Sequence, residues 1–122
     1  MGTSVYVIDP DPEERKRIET ALAPSGASLV FFEDDAGLLA ALPAGEFACL
    51  IATAEIDGTA TLELVRELRR RGISTPVIVL GSHAAFRSAV DIARLEATEF
   101  LERPVSVWEL QCAVRSACGA RS

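Results

Sequence analysis

Pro76-Val77-Ile78-Val79-Leu80 is the stretch on which the fold turns. It contains no polar side chain, so a strand here offers no face to water and must be covered on both sides. Helical patterns lie on either side of it. Ala60 to Arg71 sets Leu64, Val65 and Leu68 on one face and stops at Gly72, the residue type that ends helices. Ala84 to Leu95 repeats the helical period, with Phe86, Ala89, Val90 and Ala93 as its stripe. A doubly buried strand between two helices is the βαβ unit of a parallel sheet.

The same alternation runs outward to both ends. Ser4 to Ile8 is a first strand. Asp11 can cap the helix after it, Pro12 suits its first turn, and Glu14 has capping-box spacing. Ile18, Ala21 and Leu22 are that helix's stripe, and Pro24 to Gly26 stops it. Leu29 to Phe32 reads as the second strand, Asp34 or Asp35 as the start of a short helix ending near Pro43, and Phe47 to Ala52 as the third strand. Glu99 to Leu101 is a fifth. Ser106 then caps the last helix, Glu109 sits three residues on, and Val105 can staple against Leu110. Leu110, Ala113, Val114, Ala117 and Cys118 form its core stripe. Five strands and five helices predict an α/β, three-layer, doubly wound parallel sheet of the flavodoxin-like kind, strand order 2-1-3-4-5. Its ligand cleft lies beyond the carboxyl ends of the strands.

Composition narrows the function. At 122 residues the chain is expected to be one domain. A net charge of −6 argues against direct nucleic-acid contact, which leans on Lys and Arg. No apolar run reaches membrane-spanning length, and the N-terminus lacks a signal-peptide layout, so a cytoplasmic location is expected. Cys49, Cys112 and Cys118 form no CxxC pair and read as small hydrophobes.

Four loops should meet at the cleft. They carry Asp9, Pro10 and Asp11; Thr53 to Gly58; Gly81 to His83; and Arg103-Pro104. Together with Val5-Tyr6-Val7-Ile8-Asp9, Leu62-Glu63-Leu64-Val65, Pro76 to Leu80 and Phe100-Leu101-Glu102-Arg103-Pro104, the chain resembles the receiver domain of two-component response regulators, also called CheY-like, over nearly its whole length. The resemblance implies an acidic pair after the first strand that holds Mg²⁺ with a third-strand aspartate, which accepts phosphoryl from a histidine kinase. It also implies a Ser or Thr after the fourth strand and a Lys before the proline after the fifth. Here the first acid matches Asp9, its partner falls on Pro10, the acceptor on Thr53, the hydroxyl on Gly81 and the lysine on Arg103. Arg103-Pro104 is the candidate cis peptide.

Four of those five positions depart from the pattern. Mg²⁺ wants several hard oxygens in an octahedral shell, and a threonine hydroxyl needs a base before it can attack. Gly81 has no hydroxyl, and a guanidinium does not stand in for an ammonium. No cofactor is expected, Mg²⁺ binding is expected to be weak or absent, and so is catalysis. Asp9 is expected to pair with Arg103, Asp11 to cap, His83 to be an exposed loop residue, and Arg69, Arg70 and Arg71 to form a solvated face.

Trp108 and Cys112 lie opposite the core stripe of the last helix, and Ile92 and Leu95 lie off the stripe of the helix over 84–95. These four residues form a candidate interface, reached through the fourth helix, fifth strand and fifth helix. The expected function is a pseudo-receiver: a phosphorylation-independent interaction or dimerisation module at the N-terminal regulatory end of a larger protein. Where an output domain follows the C-terminus, the resemblance implies a DNA-binding one, though nothing within these residues shows it. The alternatives are phosphorylation at a displaced acceptor (Asp57, Glu55 or Thr53) and a small-ligand sensor in which Arg103 and Arg87 hold an anion.

Overall fold

The computed structural model describes residues 4–41, 47–53, 59–82 and 98–119. Strands β1 (Ser4–Ile8), β2 (Ser28–Phe32), β3 (Cys49–Thr53), β4 (Val77–Gly81) and β5 (Thr98–Glu102) form one parallel sheet in the order β2-β1-β3-β4-β5. The helices are α1 (Pro12–Leu22), α2 (Asp35–Ala41), α3 (Thr59–Arg70) and α4 (Val107–Gly119), with a 3₁₀ turn over Ala23–Ser25 after α1. The helix expected over 84–95 lies outside the described residues.

Alternation along the strands divides the core into two layers. Tyr6, Ile8, Leu50, Ala52, Val77 and Val79 face Leu38 of α2 and Leu64, Val65 and Leu68 of α3. Val5, Val7, Cys49, Ile51, Ile78 and Leu80 face Ile18, Ala21 and Leu22 of α1 and Leu110, Ala113 and Val114 of α4. The central strands are buried on both faces, as an aliphatic run with no polar member requires. Tyr6 stacks on Phe47 at 4.5 Å and meets Phe32 edge-on at 5.2 Å, closing the end of one layer. No helix among the described residues is long and apolar enough to cross a membrane.

The helix ends show local chemistry at work. At α4 both halves of a capping box form: Ser106 Oγ accepts from the Glu109 N–H at 3.0 Å, and Glu109 Oε1 accepts from the Ser106 N–H at 3.4 Å. At α1 the expected box does not form. Asp11 caps the Glu13 N–H at 3.0 Å, but Glu14 turns to Arg17 instead, and the Asp11 N–H is taken by Asp9. The C-terminus of α3 is a Schellman turn around Gly72 at φ 82°, with Ile73 N–H to Leu68 O at 2.9 Å and Gly72 N–H to Arg69 O at 3.0 Å. Arg69 corrects the expectation of a solvated basic face. It is half-buried and donates to the carbonyls of Ile73 and Thr75, tying the turn together. Arg70 and Arg71 do lie exposed, both on Glu67, whose carboxyl they hold below its ordinary range, Arg71's hydrogen bond being the largest cause. Between α1 and α4, the Gln111 amide donates to the Ala21 carbonyl at 2.8 Å, a polar tie across an otherwise apolar seam.

Every strand but β1 moves at one or both ends by a residue or two. β3 begins at Cys49 rather than Phe47 and runs through Thr53, because Thr53 still pairs with Leu80. β4 likewise runs on to Gly81, which pairs with Glu102.

Cys49 is fully buried, and burial, followed by the nearness of Cys118 and Glu99, pushes its thiol up from 9.0 to about 12. Between those values the unfolded chain has lost a proton that the folded chain keeps, so stability falls as pH rises from about 9 towards 12. Alkylation mapped by peptide mass at pH 8 is expected to label half-buried Cys112 in the native protein and Cys49 only after unfolding. Equal labelling rates would show that β3 opens locally.

Candidate functional site

Parallel pairing brings the carboxyl ends of β1 and β3 side by side. Ile8 is in register with Ala52 on one side and Phe32 on the other, so Asp9 and Thr53 emerge as neighbours at the edge. Asp9 is held at every polar atom. Its N–H donates to Phe32 O at 3.0 Å. Its carbonyl accepts from Arg15 Nε at 2.5 Å. Oδ1 accepts from the Asp11 N–H at 2.9 Å, and Oδ2 accepts from Thr53 Oγ1 at 2.7 Å. With only 1% of its surface exposed, Asp9 needs those donors, since an unsatisfied buried carboxylate is costly. The Thr53 bond has the short length of a charge-assisted hydrogen bond.

Arg103 was expected to pair with Asp9 and does not. Its side chain is exposed on the cleft wall and makes no ion pair with Asp9. The reason is that Asp9 is already satisfied from below by Thr53 and Asp11, so a long cation gains little by giving up water to reach it. The Arg103 backbone is fixed instead: its N–H donates to the Gly81 carbonyl at 2.8 Å, and the Arg103–Pro104 peptide is cis.

The cleft over these residues has a volume of about 510 Å³. Asp9, Pro10, Asp11, Thr53 and Arg103 all line it, whereas Gly81 is buried at the end of β4 and does not. Glu55, Asp57, His83, Arg87, Ile92 and Leu95 lie outside the described residues.

Two contributors escape a reading of the sequence. Arg15, one turn into α1, reaches back to the Asp9 carbonyl and lies 3.7 Å from Glu33, joining the loops after β1 and β2. Nothing in its spacing marks it, because both partners are assembled by the sheet. Thr61, buried at 4% exposure on α3, forms part of the cleft wall. An apolar residue would fit α3's inward stripe equally well, so a threonine there is the only available signal. Acids dominate the rest of the wall, namely Glu14, Glu33, Asp34 and Asp35. Among the described residues no three His, Cys, Asp or Glu side chains come together closely enough to hold a metal ion.

On the far side of α4, Trp108 is 66% exposed beside half-buried Cys112. They line a shallow depression of about 360 Å³ with Glu99 and Leu101 of β5.

Comparison with known proteins agrees with this architecture. The family model described as the response regulator receiver domain matches residues 5–115. The transcriptional regulatory protein FixJ of Bradyrhizobium diazoefficiens is 28% identical over 113 residues, covering 93% of this chain and 55% of that protein. FixJ of Azorhizobium caulinodans is 32% identical over 115 residues, covering 94% of this chain and 54% of that protein. The chain thus spans about half the length of these relatives. The receiver domain of the Francisella response regulator 1452 superposes with a TM-score of 0.87 at 20% identity, covering 99% of this chain and 100% of that one, which is a likeness of fold.

The Thr53–Asp9 bond can be weighed by a double-mutant cycle. Thr53→Val leaves a buried carboxylate oxygen without its donor and is expected to cost about 1–3 kcal/mol in urea unfolding. In the Asp9→Ala background the same change should cost far less, giving a coupling of about 1–2 kcal/mol. Additive losses would mean that the bond carries no net stability.

Proposed function

The chain belongs to the response regulator receiver domain family, and we propose that it is a pseudo-receiver, a signalling domain that acts through protein contact without being phosphorylated. The observation that carries this reading is the Thr53 hydroxyl donating to Asp9 Oδ2 at 2.7 Å. The side chain at the third-strand position is spent on an internal bond instead of standing ready to accept a phosphoryl group. Thr53 would also need a base able to take a hydroxyl proton, and the acceptor it meets among the described residues, the Asp9 carboxylate, is a weak one for that task.

The metal required for receiver phosphorylation fits poorly. Mg²⁺ needs oxygens converging at about 2.0–2.1 Å in near-octahedral geometry. Pro10 supplies none, Thr53 supplies a neutral hydroxyl, and both Asp9 oxygens are engaged. The hydroxyl and lysine that would complete the reaction are Gly81, which is off the cleft wall, and exposed Arg103. The domain therefore holds one conformation, and its output is set by which protein it meets.

Contact is assigned to the β5–α4 face. Trp108, two-thirds exposed at the first turn of α4, with Cys112 one turn on, offers a large apolar anchor rimmed by Glu99 and Glu109. The partner is a second copy or another signalling protein. That the FixJ relatives are transcriptional regulatory proteins of roughly twice this length supports a role as the regulatory part of a longer transcriptional regulator, with DNA contact left to another domain.

Incubation with acetyl phosphate and Mg²⁺, read by intact mass, is expected to leave the chain unmodified, and beryllofluoride with Mg²⁺ should leave Trp108 fluorescence unchanged. A stoichiometric phosphoryl adduct would overturn the pseudo-receiver reading. For the surface, sedimentation of the wild type against Trp108→Glu is expected to show concentration-dependent association that the variant loses. Identical monomers across the concentration range would remove self-association through this face.

A further inference from the structure

Strand β2, Ser28-Leu29-Val30-Phe31-Phe32, ends the sheet, with β1 as its one neighbour among the described residues. Edge strands are ordinarily blunted by charge, proline or a bulge, because their open N–H and C=O groups accept another strand. This one has none of those devices, and its pairing with β1 runs unbroken. Val30, at its middle, is 41% exposed, the one large apolar side chain of the described strands left so open.

Register decides what that edge can meet. The Phe32 carbonyl points inward, to the Asp9 N–H at 3.0 Å. Backbone groups alternate sides along a strand, so Val30 also turns its N–H and C=O inward, and Leu29 and Phe31 turn theirs outward. Leu29 and Phe31 lie symmetrically about Val30. A second copy of β2, laid antiparallel on a two-fold axis through Val30, sets Leu29 against Phe31 of the other copy, and each such pair exchanges both backbone bonds. Val30 meets its own counterpart in the closer, non-hydrogen-bonded kind of pair, about 4.5 Å between Cα atoms, where side chains touch.

Charge selects the same arrangement. Glu33, Asp34 and Asp35 follow β2 at one end, so two copies running parallel would stack like charges. Antiparallel pairing instead carries Glu33, 82% exposed, to Ala27 of the second copy. Ala27 lines a groove of about 490 Å³ with Arg115 of α4, an exposed cation with no ion pair among the described residues. Ala27, Leu29 and Phe31 pack on the α1–α4 layer, and Glu33, next in the alternation, lies beside Arg15 of α1, so acid and arginine share one face of the sheet. Each copy offers the carboxylate that the other's Arg115 lacks.

We propose that β2 pairs antiparallel with β2 of a second copy of this chain, with Val30 on the two-fold axis and Glu33 of each copy beside Arg115 of the other. The pairing joins the two five-stranded sheets edge to edge. It lies at the opposite edge from β5, so it is independent of the contact assigned to the β5–α4 face and of the pseudo-receiver reading. A strand edge of five residues belongs to the weak class of interfaces, under about 1,200 Å². It forms where copies are concentrated and is read by covalent trapping rather than by sedimentation.

Introduced cysteines supply the trap. In a background of Cys112→Ser and Cys118→Ser, with Cys49 buried, Val30→Cys and Ser28→Cys are compared during copper-phenanthroline oxidation on non-reducing gels. Cα atoms about 4.5 Å apart at the axis fall within disulfide reach, whereas two copies of position 28 stand about 14 Å apart, beyond it. Val30→Cys is expected to form covalent dimer at least tenfold faster than Ser28→Cys. Arg115→Glu is expected to slow that linkage several-fold, and the addition of Glu33→Arg to restore it. Trp108→Glu is expected to leave it unchanged. Native circular dichroism of each variant separates misfolding from lost pairing. Equal rates at the two positions, a rate that falls with Trp108→Glu, or no linkage at either position, which would leave the edge to a strand of another protein, would each overturn the proposal.

Discussion

Burial of β1, β3 and β4 on both faces is the constraint from which the rest follows. A strand with no solvent face cannot slip by one residue, since every side chain would then exchange one apolar layer for the other. The register that pairs Ile8 with Ala52, and Thr53 with Leu80, is therefore held by two cores at once. That register brings Asp9 beside Thr53, and it sets the Gly81 carbonyl where Arg103 can reach it. The site's geometry is a by-product of hydrophobic packing, and its chemistry depends on which side chains happen to end the strands.

Much of this was legible in the chain itself. The aliphatic run Val77 to Leu80, the stripes of α1, α3 and α4, and the capping box at Ser106 and Glu109 are local signals with local causes. They survive folding unchanged. Asp11 as a cap was legible for the same reason. Strand ends were less so, because Thr53 and Gly81 are held in strands by partners far away in sequence.

Long-range polar contacts were the least legible. Asp9 was expected to meet Arg103 because opposite charges on converging loops invite pairing. The structure prefers a neutral hydroxyl, since Thr53 is fixed at the neighbouring strand end and Arg103 is free to stay in water. Arg69 shows the same limit from the other direction. A basic run at a helix C-terminus looks like a solvated face, yet the Schellman turn at Gly72 brings the Ile73 and Thr75 carbonyls within reach of the first arginine of the three. Charge patterns tell which groups are available; backbone geometry decides which of them meet.

Asp9 joins three elements through four contacts: the end of β2 through Phe32, the start and the side of α1 through Asp11 and Arg15, and the end of β3 through Thr53. It has become a fastener. A mutational scan that scored only downstream output would rank it among the most important residues and would credit it with carrying a signal. The lost output would come from a loosened sheet edge, so abundance and folding must be measured beside output before any residue of this cleft is assigned a role in signalling.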